Sequence, residues 1–258
     1  MDDQAKAVEA ANRAKFGGDV YTPAKVSVAA AERGDDYASR MMAIKLDLVR
    51  RLCGGPRLLD VCCSTGLQLQ ELADGRRLAV GVDFSMPYLE HAAAAGTNRS
   101  IALACANVRA LPFRTASIDG AYSISSLYVI PEVGEVIAEI GRVLRPGGRC
   151  LLDLGNVDSL NQVVTRAYPE LATTCFVSVS SMLEMIGRAG MQVIVHRRFQ
   201  LLPMWGDRPA SLRWLMSPWL VRLMTIRVAG RMLDEWLSSL PWLRRYAFRH
   251  VFVCQKSS

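Results

Sequence analysis

The sequence predicts an α/β fold, a doubly wound sheet with helices on both faces. Three observations carry this. Arg57 to Leu72 reads RLLDVCCSTGLQLQEL, an apolar strand, a turn of small residues and the start of a helix. Arg77 to Asp83, RLAVGVD, is a second apolar strand that ends in a carboxylate. Short apolar runs and helical patterns then alternate along the chain, the order of βα units around a buried parallel sheet.

Residues 2–15 are charged and Ala-rich and predict a polar helix, and Phe16–Lys25, with Gly17, Gly18 and Pro23, predicts a loop. From Asp35 to Leu52, Met41, Ile44, Leu48 and Leu52 recur at helical spacing, and Gly54–Gly55–Pro56 stops that helix. Strand, small-residue turn and helix at 57–72 make the geometry of a nucleotide site, because the backbone is open to a ligand and helix N–H groups point at it. Asp83 lies 17 residues beyond Gly66, near the spacing at which an acid reaches a ribose diol.

Ser85 caps a helix over Met86–Ala95, with Pro87 in its first turn and Gly96 after its end. Ile101–Cys105 and Ile118–Ile124 are the third and fourth strands, and the loop between them contains Leu111–Pro112–Phe113. Pro131 starts a helix to Leu144, Arg145–Gly148 is a turn, and Arg149–Leu154 is the fifth strand. Ser181 and Glu184 have capping-box spacing for a helix that ends at Gly190. Met191 begins the sixth strand and His250–Gln255 is the last.

Residues 203–246 interrupt this alternation. Ser217–Pro218 is a helix-start signal, and the spacing predicts one helix to Leu240. Arg227, Arg231, Asp234, Glu235 and Ser238 share a narrow polar arc of it, while Leu223, Ile226, Val228, Met232 and Trp236 belong to a wide apolar one. Three uses stay open: packing on the chain's own domain, roofing an apolar substrate pocket, or lying on a membrane surface.

Length and composition bound the function. The 258 residues suit one large domain or a domain with a lid, and half are hydrophobic. No apolar run opens the chain and no segment approaches the ~20 apolar residues of a membrane span, so a cytoplasmic protein is expected. The seven cysteines include no C-x-x-C pair and the three histidines are far apart, which predicts reduced thiols and no metal site. The net charge of +7 is uneven: residues 197–258 carry 11 Arg or Lys, three acids and all five tryptophans.

LLDVCCSTG, VGVDFS, NVRALPF, SIDGAYS and GRVLRPGGRCLLD, in that order, resemble the class I S-adenosylmethionine (SAM) methyltransferases, in style the small-molecule branch of ubiquinone/menaquinone C-methyltransferases. The resemblance covers about residues 55–155, and 180–199 more loosely. It implies a Rossmann-like seven-stranded sheet with its last strand antiparallel, SAM as cofactor, and a small apolar or amphipathic metabolite as methyl acceptor. The division expected is an N-terminal helical cover (1–56), a SAM-binding core (57–202 and 247–258) and a helical lid (203–246). Two departures stand out. Cys62 and Ser64 occupy glycine positions of the family's loop, and Asn107 stands where an aspartate commonly faces the adenine amino group.

The resemblance also implies roles. The backbone at Cys62, Ser64 and Gly66 lines the amino-acid and ribose part of SAM, and Asp60 fixes that loop or meets the ammonium through water. Asp83 accepts the ribose hydroxyls, Asn107 and Val108 face the adenine edge, and Phe84 packs beside the ring. Ser125 supplies backbone near the methionine end. A helix over the pocket makes Tyr21, Tyr37 and Arg40 candidates to face cofactor or substrate, and Tyr128 is the candidate beside the acceptor. Methyl transfer is an in-line displacement that needs the acceptor held ~3–3.5 Å from the methyl carbon, so a catalytic acid or base need not be visible.

Competing readings are an RNA modifier using the basic tail, and a protein that uses SAM for a reaction other than methyl transfer, suggested by the replaced glycines. Against RNA, Ser123–Tyr128 reads SISSLY and lacks the Asn/Asp-Pro-Pro-aromatic signature of base-methylating branches, and the tryptophans sit among Leu, Met and Val at packing intervals. No nucleic-acid partner is therefore expected. The lack of G-x-G-x-x-G after the first strand disfavours a nicotinamide dehydrogenase.

Overall fold

β1 (Arg57–Val61) is buried from Leu58 onward and lies inside a seven-stranded sheet. The structure, a computed structural model, describes residues 3–17, 22, 36–95, 100–168, 174–203 and 209–258. The other sheet strands are β2 (Leu78–Asp83), β3 (Ile101–Cys105), β4 (Ile118–Ser123), β5 (Leu144–Gly155), β6 (Met191–Phe199) and β9 (Arg249–Lys256). Their order is β3-β2-β1-β4-β5-β9-β6. β1 to β5 pair in parallel, and β9 runs antiparallel to both β5 and β6. β5 starts at Leu144, so the expected Arg-Pro-Gly-Gly turn is an irregularity inside a longer strand, where the register to β4 shifts.

Helices cover both faces. On one, α5 (Val133–Val143) and α7 (Val179–Arg188) lay Val136, Ile137, Ile140, Met182 and Ile186 on Cys150, Leu152 and Phe252. On the other, α2 (Tyr37–Leu52) lays Met41, Leu48 and Val49 on Tyr122, Leu151, Val251 and Val253. Neighbouring residues of β5 thus serve opposite cores, the period-two pattern of a sheet buried on both sides. α1 (Asp3–Phe16), α3 (Leu67–Leu72), α4 (Met86–Ala95) and a short α6 (Leu160–Arg166) complete the core elements. No described helix is long and apolar enough to cross a membrane.

A buried charge cluster ties the layers. Lys45 Nζ donates to Asp153 Oδ2 at 2.7 Å, with both side chains fully buried. Arg249 Nη1 lies 3.6 Å from the same oxygen, and the Ser125 amide donates to it at 2.9 Å. Burial pushes the Asp153 carboxyl up, but the charges of Lys45 and Arg249 outweigh it and hold the group below its ordinary range.

The long helix expected over Pro218–Leu240 is not formed. α8 (Pro218–Met224) stops after two turns, a hairpin of β7 (Arg227–Val228) and β8 (Arg231–Met232) follows, and α9 (Leu233–Leu237) is a single short helix. Ala229 and Gly230 have φ of 48° and 79°, the two left-handed residues of a tight hairpin. The β-branched run Thr225, Ile226 and Val228 ahead of a glycine favours this turn over a helix. The polar arc divides: Arg227 and Arg231 stay exposed, while Asp234, Glu235 and Ser238 are buried. Asp234 accepts from Tyr37 Oη at 2.6 Å and from the Gln200 and Leu201 amides at 2.6 and 3.0 Å. Glu235 pairs with Arg197. The expected capping box also moves: Ser178 is the N-cap of α7 and accepts from the Ser181 amide, while Glu184 pairs with Arg188 at 2.6 Å. A run of serines leaves the start of the helix open, and the first one takes the cap.

Lys45→Met should leave the Asp153 charge short of its main partner and lower the unfolding free energy by about 3–5 kcal/mol in urea titration. A loss below about 1 kcal/mol would mean that Arg249 alone neutralises Asp153. Because the folded Asp153 carboxyl lies below its unfolded value, its stabilisation is complete above the ordinary carboxylate range and disappears as pH falls through the folded value.

Candidate active site

A cavity of about 370 Å³ opens at the carboxyl ends of β1, β2 and β4. This is where ligands bind in open α/β sheets. Its floor is the loop after β1. The Cys62 and Cys63 amides both donate to Val82 O, at 2.8 and 3.0 Å, which turns the chain sharply. Cys62, Ser64 and Gly66 then have φ of 68°, 49° and 73°. Only glycine adopts these values without strain, so two of the three positions carry a backbone cost of about 1–2 kcal/mol each. Gly81 of β2 makes room for the loop: a Cβ there would stand 2.7 Å from Cys63 Sγ.

Asp83 holds the loop in place. Its Oδ2 accepts from the Ser64 amide at 2.9 Å and its Oδ1 from the Ser85 amide at 3.0 Å. Each oxygen keeps further acceptor capacity, and Asp83 lines the cavity. Burial pushes its carboxyl above the ordinary carboxylate range, against the pull of the Ser85, Ser64 and Phe84 amides.

Of the residues singled out in the sequence, Cys62, Ser64, Asp83, Phe84, Asn107, Val108, Ser125 and Tyr128 all line this cavity. Asn107 Oδ1 accepts from the Arg109 amide at 3.0 Å, which fixes the direction of its side chain. Ser125 has φ of 61° and is held through its amide by Asp153. Tyr128 packs edge-on against Phe248 at 6.2 Å, and the Arg249 guanidinium lies 4.2 Å from its ring centre.

Four candidates fall elsewhere. Asp60 is buried under the loop and does not line the cavity; its Oδ2 meets no donor among the described residues. Burial pushes its carboxyl up to about 8, with the Tyr122 hydroxyl opposing and the charge of Asp83 adding. Gly66 turns toward α4, where Ala92 Cβ stands 3.1 Å from where its own Cβ would be. Tyr37 is a correction: it is buried, and its hydroxyl joins Asp234 to the Gln200 amide. Arg40 is another, since its Nη1 donates to Thr225 O at 2.9 Å. Both fasten α2 to the insertion, because tertiary packing claims the face that the sequence leaves undecided. Tyr21 lies outside the described residues.

The roof is α1, with Met42 of α2, rather than the helix at 35–52 as a whole. Glu9, Asn12, Arg13 and Phe16 line the cavity and escaped the sequence reading. Asn12 Nδ2 donates to Val129 O at 2.5 Å, Glu9 pairs with Arg109 at 2.7 Å, and the Arg13 guanidinium lies 5.4 Å from the Phe84 ring centre. A polar helix without an apolar stripe carries no local sign that it covers a polar cavity. None of the described insertion residues lines the cavity, so the lid expected from 203–246 is not seen among them.

The Asp60 environment makes a pH prediction. Its folded value of about 8 lies above the unfolded carboxylate value, so the folded state binds the extra proton and stability falls as pH rises between the two. Asp60→Asn, measured without cofactor, should be less pH-sensitive than the unmodified chain over that window. The difference in urea unfolding free energy should grow to on the order of a few kcal/mol by its upper end. A constant difference would place the Asp60 proton elsewhere.

Comparison with known proteins agrees with this geometry. Residues 59–152 match the family model described as "Methyltransferase domain". A 24-methylenesterol C-methyltransferase 2 of Oryza sativa subsp. japonica is 37% identical over 100 residues, 36% of this chain and 27% of that protein. The O-methyltransferase cnsE of Penicillium expansum is 30% identical over 171 residues, 64% of this chain and 60% of that protein. The chain thus spans only part of the length of these relatives. A phosphoethanolamine N-methyltransferase 2 of Haemonchus contortus, solved with SAM, superposes with a TM-score of 0.66 at 17% identity, covering 95% of this chain and 60% of that one. With the sheet order, the loop after β1 and the acid at the end of β2, these matches make residues 59–152 similar to the methyltransferase domain of SAM-dependent methyltransferases.

Proposed function

We propose that the chain binds SAM in the cavity and transfers its methyl group to a small apolar or amphipathic metabolite. One observation carries the reading: Asp83, pinned by the amides of Ser64 and Ser85, presents a carboxylate to the cavity at the end of β2. A ribose diol is the part of SAM that such a carboxylate fits. The remaining walls fit the other parts. Phe84 and Val108 offer apolar sides for a purine, and Asn107 offers an amide to its edge. The loop amides serve the amino-acid part, and the orphaned Asp60 oxygen beneath them suits an ammonium reached through water.

When bound, SAM supplies the electrophilic methyl carbon. The protein's part is placement and exclusion of water. Asp83 and Asn107 anchor one end of the cofactor, while Ser125, held by Asp153, sets the position of the chain after β4. Ile124, Val129, Ile130 and Met42 give the cavity an apolar wall there, which favours an acceptor with an apolar body. Tyr128, fixed by Phe248 and Arg249, stands at that wall and is our candidate to orient the acceptor. We retain residues 1–56, 57–202 with 247–258, and 203–246 as cover, core and insertion. A cytoplasmic location fits this reading.

The second reading, SAM used without methyl transfer, is favoured by the strained residues at Cys62 and Ser64. An assay for S-adenosylhomocysteine release with phenolic, quinol and sterol acceptors separates the two: SAM binding without any release supports the second. Tighter binding of NAD than of SAM would sink both.

Two substitutions test the site. Asp83→Ala should weaken SAM binding by about tenfold or more, roughly 1.5–3 kcal/mol for a charge-assisted contact, in calorimetric titration. Unchanged affinity would remove Asp83 from the ribose. Cys62→Gly and Ser64→Gly should each keep SAM affinity and change stability by less than about 1 kcal/mol, since relief of left-handed strain offsets glycine's entropy. Loss of binding by folded variants would show a loop shaped for another ligand.

A further inference from the structure

The insertion presents an unusual surface. Among its described residues, Asp234 and Glu235 are the acids, and they are 0% and 1% exposed. Both are spent on internal partners: Asp234 on Tyr37 and the Gln200 and Leu201 amides, Glu235 on Arg197 and, at 3.8 Å, Arg231. Meanwhile Arg213, Arg222, Arg227, Arg231, Arg244 and Arg245 are all exposed. The outward surface of residues 209–246 therefore carries positive charge with no exposed carboxylate among the described residues.

The same surface is apolar. Trp214, Trp219 and Trp242 are 66%, 68% and 68% exposed. α8 is amphipathic in the sense that leaves apolar groups outside: Leu220, Val221 and Met224 pack inward on the core, while Trp219, Arg222 and Leu223 share the outward arc. Beyond it come exposed Ile226 and Val228. Trp236 is locked beside them, with its indole N–H donating to Val228 O at 2.8 Å, and the Arg231 guanidinium lies 5.3 Å from its ring centre. Helix arc, hairpin and Trp236 thus form adjoining apolar ground studded with arginines.

We propose that this face of residues 209–246 docks on the surface of an anionic lipid bilayer. The charge of the arginines matches acidic headgroups, which attract such side chains near the membrane surface. Tryptophan indoles take the level of the headgroups, and Leu223, Ile226 and Val228 reach the first part of the acyl region. Nucleic acid would meet the arginines and stack on the indoles, but it offers nothing to bury three exposed aliphatic side chains. The buried acids complete the argument. A soluble face would keep carboxylates outside to balance its arginines, whereas here both turn inward to hold the insertion on α2 and β6. This inference stands on the surface alone and does not require the methyl-transfer reading.

The test is co-sedimentation of the full chain with phosphatidylcholine vesicles, with and without phosphatidylglycerol. The expected result is binding to the anionic vesicles only, weakened but not abolished by salt, with a blue shift of tryptophan fluorescence. The triple variant Trp214→Ser, Trp219→Ser, Leu223→Ser and the double variant Arg222→Glu, Arg227→Glu should each lose about tenfold or more in partitioning. Leu183→Ser, an exposed apolar residue of α7 on the opposite layer, should change nothing. The fluorescence shift of the unmodified chain keeps the test decisive if a variant fails to fold. No sedimentation with anionic vesicles, equal binding to neutral ones, or binding to polyuridylate alone with a steep salt dependence would each overturn the proposal.

Discussion

The carboxylate of Asp153 is the constraint on which the architecture turns. A single negative charge in a dry interior is costly, so the fold must bring cations to it. Lys45 arrives from α2 and Arg249 from the first residue of β9. That requirement sets how α2 lies on the sheet and holds the reversed strand against β5. The same carboxylate accepts the Ser125 amide, so the chain leaving β4 is fixed in a left-handed turn and Tyr128 is delivered to the cavity wall. A stability element and a site element are thus one cluster, and changes in either are felt in the other.

Asp83 plays a similar part at the other end of the cavity. It receives the amides of Ser64 and Ser85 before any ligand is considered. This tether explains how Cys62 and Ser64 hold glycine conformations without glycine: the loop is over-determined by two bonds to Val82 O, the bond to Asp83 and the space at Gly81. The cost sits on the floor of the cavity.

The insertion shows how tertiary demand reverses a surface pattern. As an isolated helix its acids and arginines would face water together. In the folded chain the acids serve Tyr37, Arg197 and two backbone amides of the segment after β6, and the arginines remain outside with the tryptophans. α2 is then anchored on both flanks, by Lys45 to the sheet and by Tyr37 and Arg40 to the insertion.

Strands, their burial on both faces and the carboxyl-end site were legible in the sequence, because apolar runs bounded by glycine and a terminal carboxylate are local signals that the sheet does not override. That Cys62, Ser64, Asp83, Asn107 and Ser125 share one cavity was legible for the same reason: each lies at, or within three residues of, the carboxyl end of a strand. Long-range partnership was not. Nothing near Tyr37 or Arg40 indicates that their partners are Asp234 and Thr225, nearly two hundred residues away. Nothing in a polar helix indicates that Asn12 will reach Val129 and roof the cavity. The hairpin at Ala229–Gly230 was hidden because helical spacing and a short strand pair read alike over so few residues. The sequence by itself determined the succession of the seven sheet strands and the acids at their ends; only the tertiary structure decided how residues 218–240 break into helix and hairpin, which helix covers the site and which charges face inward, since those depend on desolvating pairs of groups far apart in the chain.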